Sequence, residues 1–143
     1  MANRREARDQ AFQILFEKTF SDSTVAEIIE MAGLSRDMIP DDYTVATAEN
    51  AAAKFEQLDD IISRYSLRRA LPRLARVVLT VLRLAVYEII YEPTVDTSVA
   101  INEAVELAKK YAGEEESGFV NGVLGAFVRS EEFAALTAEG DAQ

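Results

Sequence analysis

Small residues at helical spacing constrain this chain more than any other feature. In the run from Val99 to Val128, Ala100, Ala104 and Ala108 recur every four residues. That spacing puts them in one smooth stripe along a helix. Gly113 stands where the pattern stops, as a C′ residue does, with Lys109 and Lys110 complementing the carbonyl end. Beyond it, Phe119, Val120, Val123, Leu124 and Phe127 form an apolar face, while Gly118, Gly122 and Gly125 flatten another. Glycine inside a soluble helix costs about 1 kcal/mol relative to alanine. Two uses fit such a stripe: tight packing of neighbouring helices, or close approach of a ligand.

The rest of the chain reads as helix too. A first helix is expected from about Asn3 to Phe20, with Ala7, Ala11, Ile14 and Leu15 facing inward. Phe12 and Phe16 widen its apolar arc, either as core or as partner surface. Thr24 and Glu27 have capping-box spacing, and Gly33 is the expected end of the second helix. A long third helix follows Asp41 or Asp42, carried by Val45, Ala48, Ala52, Phe55, Leu58, Ile62 and Tyr65. Pro72 suits the first turn of an apolar helix that ends before Pro93. No segment alternates convincingly with period two. The expected class is all-α, a single domain over residues 1–136 with an acidic, flexible tail at 137–143.

The absences bear on function. The chain has no His and no Cys, so the usual general base, thiol nucleophile and zinc ligands are missing. No nucleophile elbow or phosphate loop is present either. Glu114, Glu115 and Glu116 are the one obvious acidic cluster, and three acids opening a helix complement its dipole. We therefore expect no catalytic residues, no metal and no cofactor. The Val77–Tyr91 run is interrupted by Arg83 and Glu88 and is too short to cross a bilayer. With no signal-like start, a cytoplasmic location is expected.

Charge speaks to partners. A net charge of −10 opposes indiscriminate coating of nucleic acid, yet the cations are clustered. Arg4, Arg5 and Arg8 crowd a helix start, where they oppose the dipole unless an anion binds there. Arg64, Arg68, Arg69, Arg73, Arg76 and Arg83 fall in a stretch from Ile61 to Tyr87 that has no acid. Arg83, set among Leu82, Leu84 and Val86, needs a buried partner such as Glu88 or a backbone carbonyl. The others either bind phosphate or pair with Asp59 and Asp60.

Three blocks in order carry a resemblance: Arg4-Arg5-Glu6-Ala7-Arg8 with Gln13, Leu82-Arg83-Leu84-Ala85-Val86-Tyr87-Glu88, and Val99 to Tyr111 followed by Phe119-Val120-Asn121-Gly122. Together they resemble the NusB family of bacterial transcription antitermination factors over nearly the whole chain. The resemblance implies about seven helices in two packed three-helix subdomains, divided near Ser66 (about 1–66 and 67–136). It also implies binding of boxA, a single-stranded RNA element of ribosomal RNA leaders, jointly with the ribosomal protein NusE. That pair acts indirectly on the RNA polymerase elongation complex. RNA contacts then fall to Arg4, Arg5, Arg8, Phe119 and Asn121, and NusE contacts to Phe16 and the surface near Arg69, Pro72 and Arg73. The chain departs from the family where Val78 and Leu79 replace a charged pair, which makes Val78 an apolar candidate for partner binding or homodimerisation. A diverged interaction module or homodimer without boxA binding is the alternative reading.

Overall fold

Capping side chains set the first three helix starts. In the structure, a computed structural model that describes residues 3–141, Asn3 caps α1 (Arg4–Lys18) by accepting from the Glu6 amide. Thr24 and Glu27 close the expected capping box on α2 (Val25–Arg36), and Asp41 caps α3 (Asp42–Ala53) through the Thr44 amide. Then come α4 (Phe55–Tyr65), a 3₁₀ turn (Leu71–Arg73), α5 (Arg76–Tyr91), α6 (Thr97–Tyr111), α7 (Glu114–Val128) and α8 (Glu131–Asp141). All regular structure among the described residues is helical.

Four boundaries differ from expectation. The long third helix is two: Lys54 leaves helical geometry (φ −113°, ψ 13°) and its amide donates back to Ala51 and Ala52. No Gly or Pro marks that point, so the periodicity runs straight through it. α2 passes Gly33 and stops instead at Asp37, whose φ of 55° is a left-handed closure that aspartate tolerates. Pro72 lies in the 3₁₀ turn, because Leu74 and Ala75 are extended and α5 begins only at Arg76. The expected tail at 137–143 is helical as far as Asp141, while residues 142 and 143 lie outside the described residues.

The chain divides into two compact units, Met1–Phe55 and Glu56–Gln143. In the first, α1 packs against α2 and α3. Ala7, Ala11, Phe12, Ile14 and Leu15 are buried along α1, as its periodicity required. On α3 the buried positions are Thr44, Thr47, Ala48 and Ala51, one step away from Val45 and Ala52.

In the second unit α6 packs on both α5 and α7. Ala100, Ala104 and Ala108 are buried, so the alanine stripe serves helix packing. The division falls before the break expected near Ser66 because α4 is tied to α5. Arg83 donates from Nε and Nη2 to the two Asp59 carboxylate oxygens at 2.7 Å each. Tyr91 Oη donates to Gln57 Oε1 at 2.9 Å. The bidentate partner of Arg83 is thus an aspartate on another helix. α8 is anchored by Glu132, which accepts from Arg64 and from Tyr65 Oη, and by Phe133 edge-on to Phe127 at 5.4 Å. Among the described residues, no helix is long and apolar enough to cross a membrane.

Candidate nucleic-acid interface

The glycines of α7 separate into two uses. A Cβ at Gly118 or at Gly122 would meet no atom within 4 Å, whereas one at Gly125 would press on the Arg129 side chain at 3.0 Å. Packing inside the chain therefore does not require glycine at 118 and 122. Those two positions, one helical turn apart, line an open groove of about 580 Å³. Phe119, Val123, Ala126 and Glu115 continue its α7 wall, and Tyr65, Leu67, Arg68 and Arg69 form the opposite one. Gly113 makes the tight joint that starts this wall: its φ of 103° is a conformation that side-chain-bearing residues rarely adopt.

The groove combines flat backbone, aromatic surface and cations. Leu67 is 90% exposed, and Arg68 is also exposed. Arg69 lies with its guanidinium carbon 4.2 Å from the centroid of the Phe119 ring. Its Nη1 donates to Glu116 Oε2 at 2.7 Å, and this bond raises the already high Arg69 pKa. Glu116 precedes Phe119 by three residues, so both lie on one face of α7 and one arginine spans them. The three acids that open α7 do sit in its first turn, and one of them has this additional task.

Asn121 is exposed, but two residues beyond Phe119 it lies on the far side of the helix, away from the groove lining. Sequence reasoning missed Tyr65, Leu67 and the role of Glu116. The four-residue spacing of Gly118 and Gly122 was the available signal for the α7 wall; nothing local marked the opposite one.

The first unit carries the other cluster. Arg4 and Arg5 are exposed at the start of α1. The Arg4 guanidinium lies 3.8 Å from the centroid of Tyr43 at the start of α3. Stacking on a ring fixes an arginine's position while its edge stays available to an acceptor. Asp41 nearby is held below the usual carboxylate range, chiefly by the Thr44 amide and to a smaller extent by Arg4. Arg8 departs from expectation. It is only 6% exposed, flanked by buried Ala7 and Ala11 and one turn before buried Phe12. Arg8 is therefore part of the packed side of α1, unlike Arg4 and Arg5.

Of the expected partner contacts, Phe16 is half-buried in a row of rings, 5.9 Å from Phe12 and 5.0 Å from Phe20. Pro72 and Arg73 are exposed on the 3₁₀ turn. Val78 must be corrected: it is fully buried, at 0% exposure, because it lies on the core side of α5 with Val81, Leu82 and Ala85. It presents no surface to a partner. Arg69 faces Phe119 and Glu116, as described above.

Known proteins give this arrangement a context. The sequence model of the NusB family matches residues 5–129. The transcription antitermination protein NusB of Thermoanaerobacter sp. (strain X514) is 38% identical over 130 residues, covering 90% of this chain and 92% of the relative. The NusB protein of Agathobacter rectalis is 41% identical over 128 residues, covering 87% and 98%. Among solved structures, T. maritima NusB aligns with a TM-score of 0.76 at 32% identity, covering 94% of this chain and 98% of that one. A crystal structure of the antitermination factors NusB and NusE in complex with double-stranded RNA aligns with a TM-score of 0.78 at 29% identity, covering 88% and 96%. The non-enzymatic expectation agrees with relatives named for transcription antitermination. Matching blocks, helix order and near-complete coverage coincide, and the chain belongs to the NusB family.

Proposed function

We propose that this chain is a transcription antitermination factor that binds boxA-type single-stranded RNA of ribosomal RNA leaders together with NusE, and so assists loading of processive elongation complexes. The α7 groove carries this reading. Gly118 and Gly122 leave its floor bare, Phe119 offers a ring, and Arg68 and Arg69 supply positive charge. Unpaired bases stack on aromatic side chains, whereas a paired helix keeps its base faces inside the stack. Phosphate contacts go to Arg4 and Arg5 and to the groove arginines, and Asn121, on the far side of α7, takes no part in the groove. Phe16, Pro72 and Arg73 are the contacts proposed for NusE. A solved NusB–NusE complex with double-stranded RNA supports NusE and RNA as the classes of partner. The apolar homodimer reading loses Val78 to the core, whereas Leu79 beside it is only half-buried.

The test is fluorescence anisotropy of a labelled boxA RNA, with and without NusE, at two salt concentrations. Binding is expected to tighten with NusE and to weaken with salt. The double variant Arg4→Ala, Arg5→Ala should bind more weakly, with a log–log salt slope shallower by about 1.4, or about 0.7 per lost phosphate contact on a single strand. No binding under any condition would overturn the reading. An unchanged slope in the double variant would remove the arginine site from it.

A further inference from the structure

Arg69 holds three relationships at once. Its backbone carbonyl accepts from Ser66 Oγ at 2.6 Å, pinning the main chain just after α4. Its guanidinium lies over Phe119, and its Nη1 is bonded to Glu116. The side chain is 33% exposed and that of Glu116 22%, so solvent reaches the pair. An anchored backbone with an accessible side chain allows the guanidinium to exchange partners without moving the chain. Carboxylate and phosphate present the same fork geometry to arginine, so one can replace the other at little cost in desolvation.

We propose that Arg69 is a latched nucleic-acid contact. In the free protein Glu116 holds it across Phe119 and neutralises it. When a nucleotide of single-stranded RNA enters the groove, its phosphate takes the place of Glu116. The released guanidinium then uncovers the ring for the base. The inference rests on the RNA-binding reading and adds a device to it: the groove cation is spent internally until a phosphate arrives. An acidic protein thereby avoids weak capture of stray anions, and Glu116 sets how tightly RNA is held. A purely structural ion pair between α7 and the segment after α4 would behave differently, because breaking it would bring no gain in RNA binding.

A double-mutant cycle separates the two, using a labelled 12-nucleotide single-stranded RNA. Glu116→Gln should tighten binding several-fold in the wild-type background and less than twofold in Arg69→Ala. Arg69→Ala alone should weaken binding and make the salt slope shallower by about 0.7. Both variants should keep a melting temperature close to wild type, since the pair is partly exposed. Equal tightening in both backgrounds would mean that only general charge is at work, and would overturn the latch. So would unchanged or weaker binding of Glu116→Gln. If wild type and Phe119→Ala both fail to bind RNA, the functional reading fails and the latch falls with it. If wild type binds and Phe119→Ala does not, the cycle alone decides the latch.

Discussion

Each unit stacks an arginine on an aromatic ring, and the two pairs are built differently. In the first, Arg4 is exposed and lies over Tyr43 beside the capped start of α1, with Asp41 near but, among the described residues, no carboxylate bond of the kind Arg69 makes. In the second, Arg69 lies over Phe119 and is also bonded to Glu116. In the free protein each ring does the same work, restricting the conformations of a long cation. The carboxylate makes the difference: one arginine is displayed and the other is held in reserve. At a net charge of −10, anion binding depends on such local arrangements rather than on the overall field.

The largest effect should come from the rings. Phe119→Ala removes a stacking platform, and a loss of about 1–3 kcal/mol in RNA affinity is expected in anisotropy titrations. Tyr43→Ala should cost less, because Tyr43 positions an arginine and does not itself take a base. Equal losses would break the comparison and make Tyr43 a stacking residue as well.

Next come the glycines, which the Phe119 groove needs and the Arg4 cluster lacks. Gly118→Ala and Gly122→Ala meet no clash and add helix propensity, so each should stabilise the fold by about 0.5–1 kcal/mol in denaturant unfolding. RNA binding should weaken in the same variants, as a methyl group intrudes on the floor. Stabilisation with unchanged RNA affinity would show that the ligand does not approach the α7 backbone.

The smallest effect concerns an arginine paired within the second unit, Arg64. Glu132 is held below the usual carboxylate range mainly by its bonds from Arg64, with Tyr65 adding to the shift and burial opposing it. A carboxyl with a depressed folded-state pKa contributes stability that is complete above the ordinary value of about 4.3 and is lost as pH falls through the lowered one. Glu132→Gln should therefore destabilise by about 0.5 kcal/mol at neutral pH, the low figure reflecting solvent screening around Arg64. The gap from wild type should close as thermal melts are taken below pH 4. RNA binding should not change, in contrast to Glu116→Gln.

Much of this was legible beforehand. The alanine stripe, the capping box at Thr24, the closure at Gly113 and the inward face of α1 depend on neighbours within one turn, and each is found in place. The groove was half legible. Gly118 and Gly122 announced themselves by spacing and Phe119 by the family resemblance, but the arginines between Ile61 and Tyr87 offered no way to assign partners. Val78 was misread because an apolar residue at a normally charged position looks like surface until the rest of α5 is seen to bury it.

The amino-acid sequence by itself determined the helical class, the inward face of α1, the capping box of α2 and the family, because these follow from backbone chemistry and short periodicities read along the chain. Only the tertiary structure decided where a continuous helical pattern breaks at Lys54. The same holds for which glycines face open space, and for which acid each arginine meets. Asp59 with Arg83 and Glu116 with Arg69 are matches across many residues. The physical reason is that charge pairing and burial depend on distance in space, and nothing in local spacing encodes which distant side chain will be near.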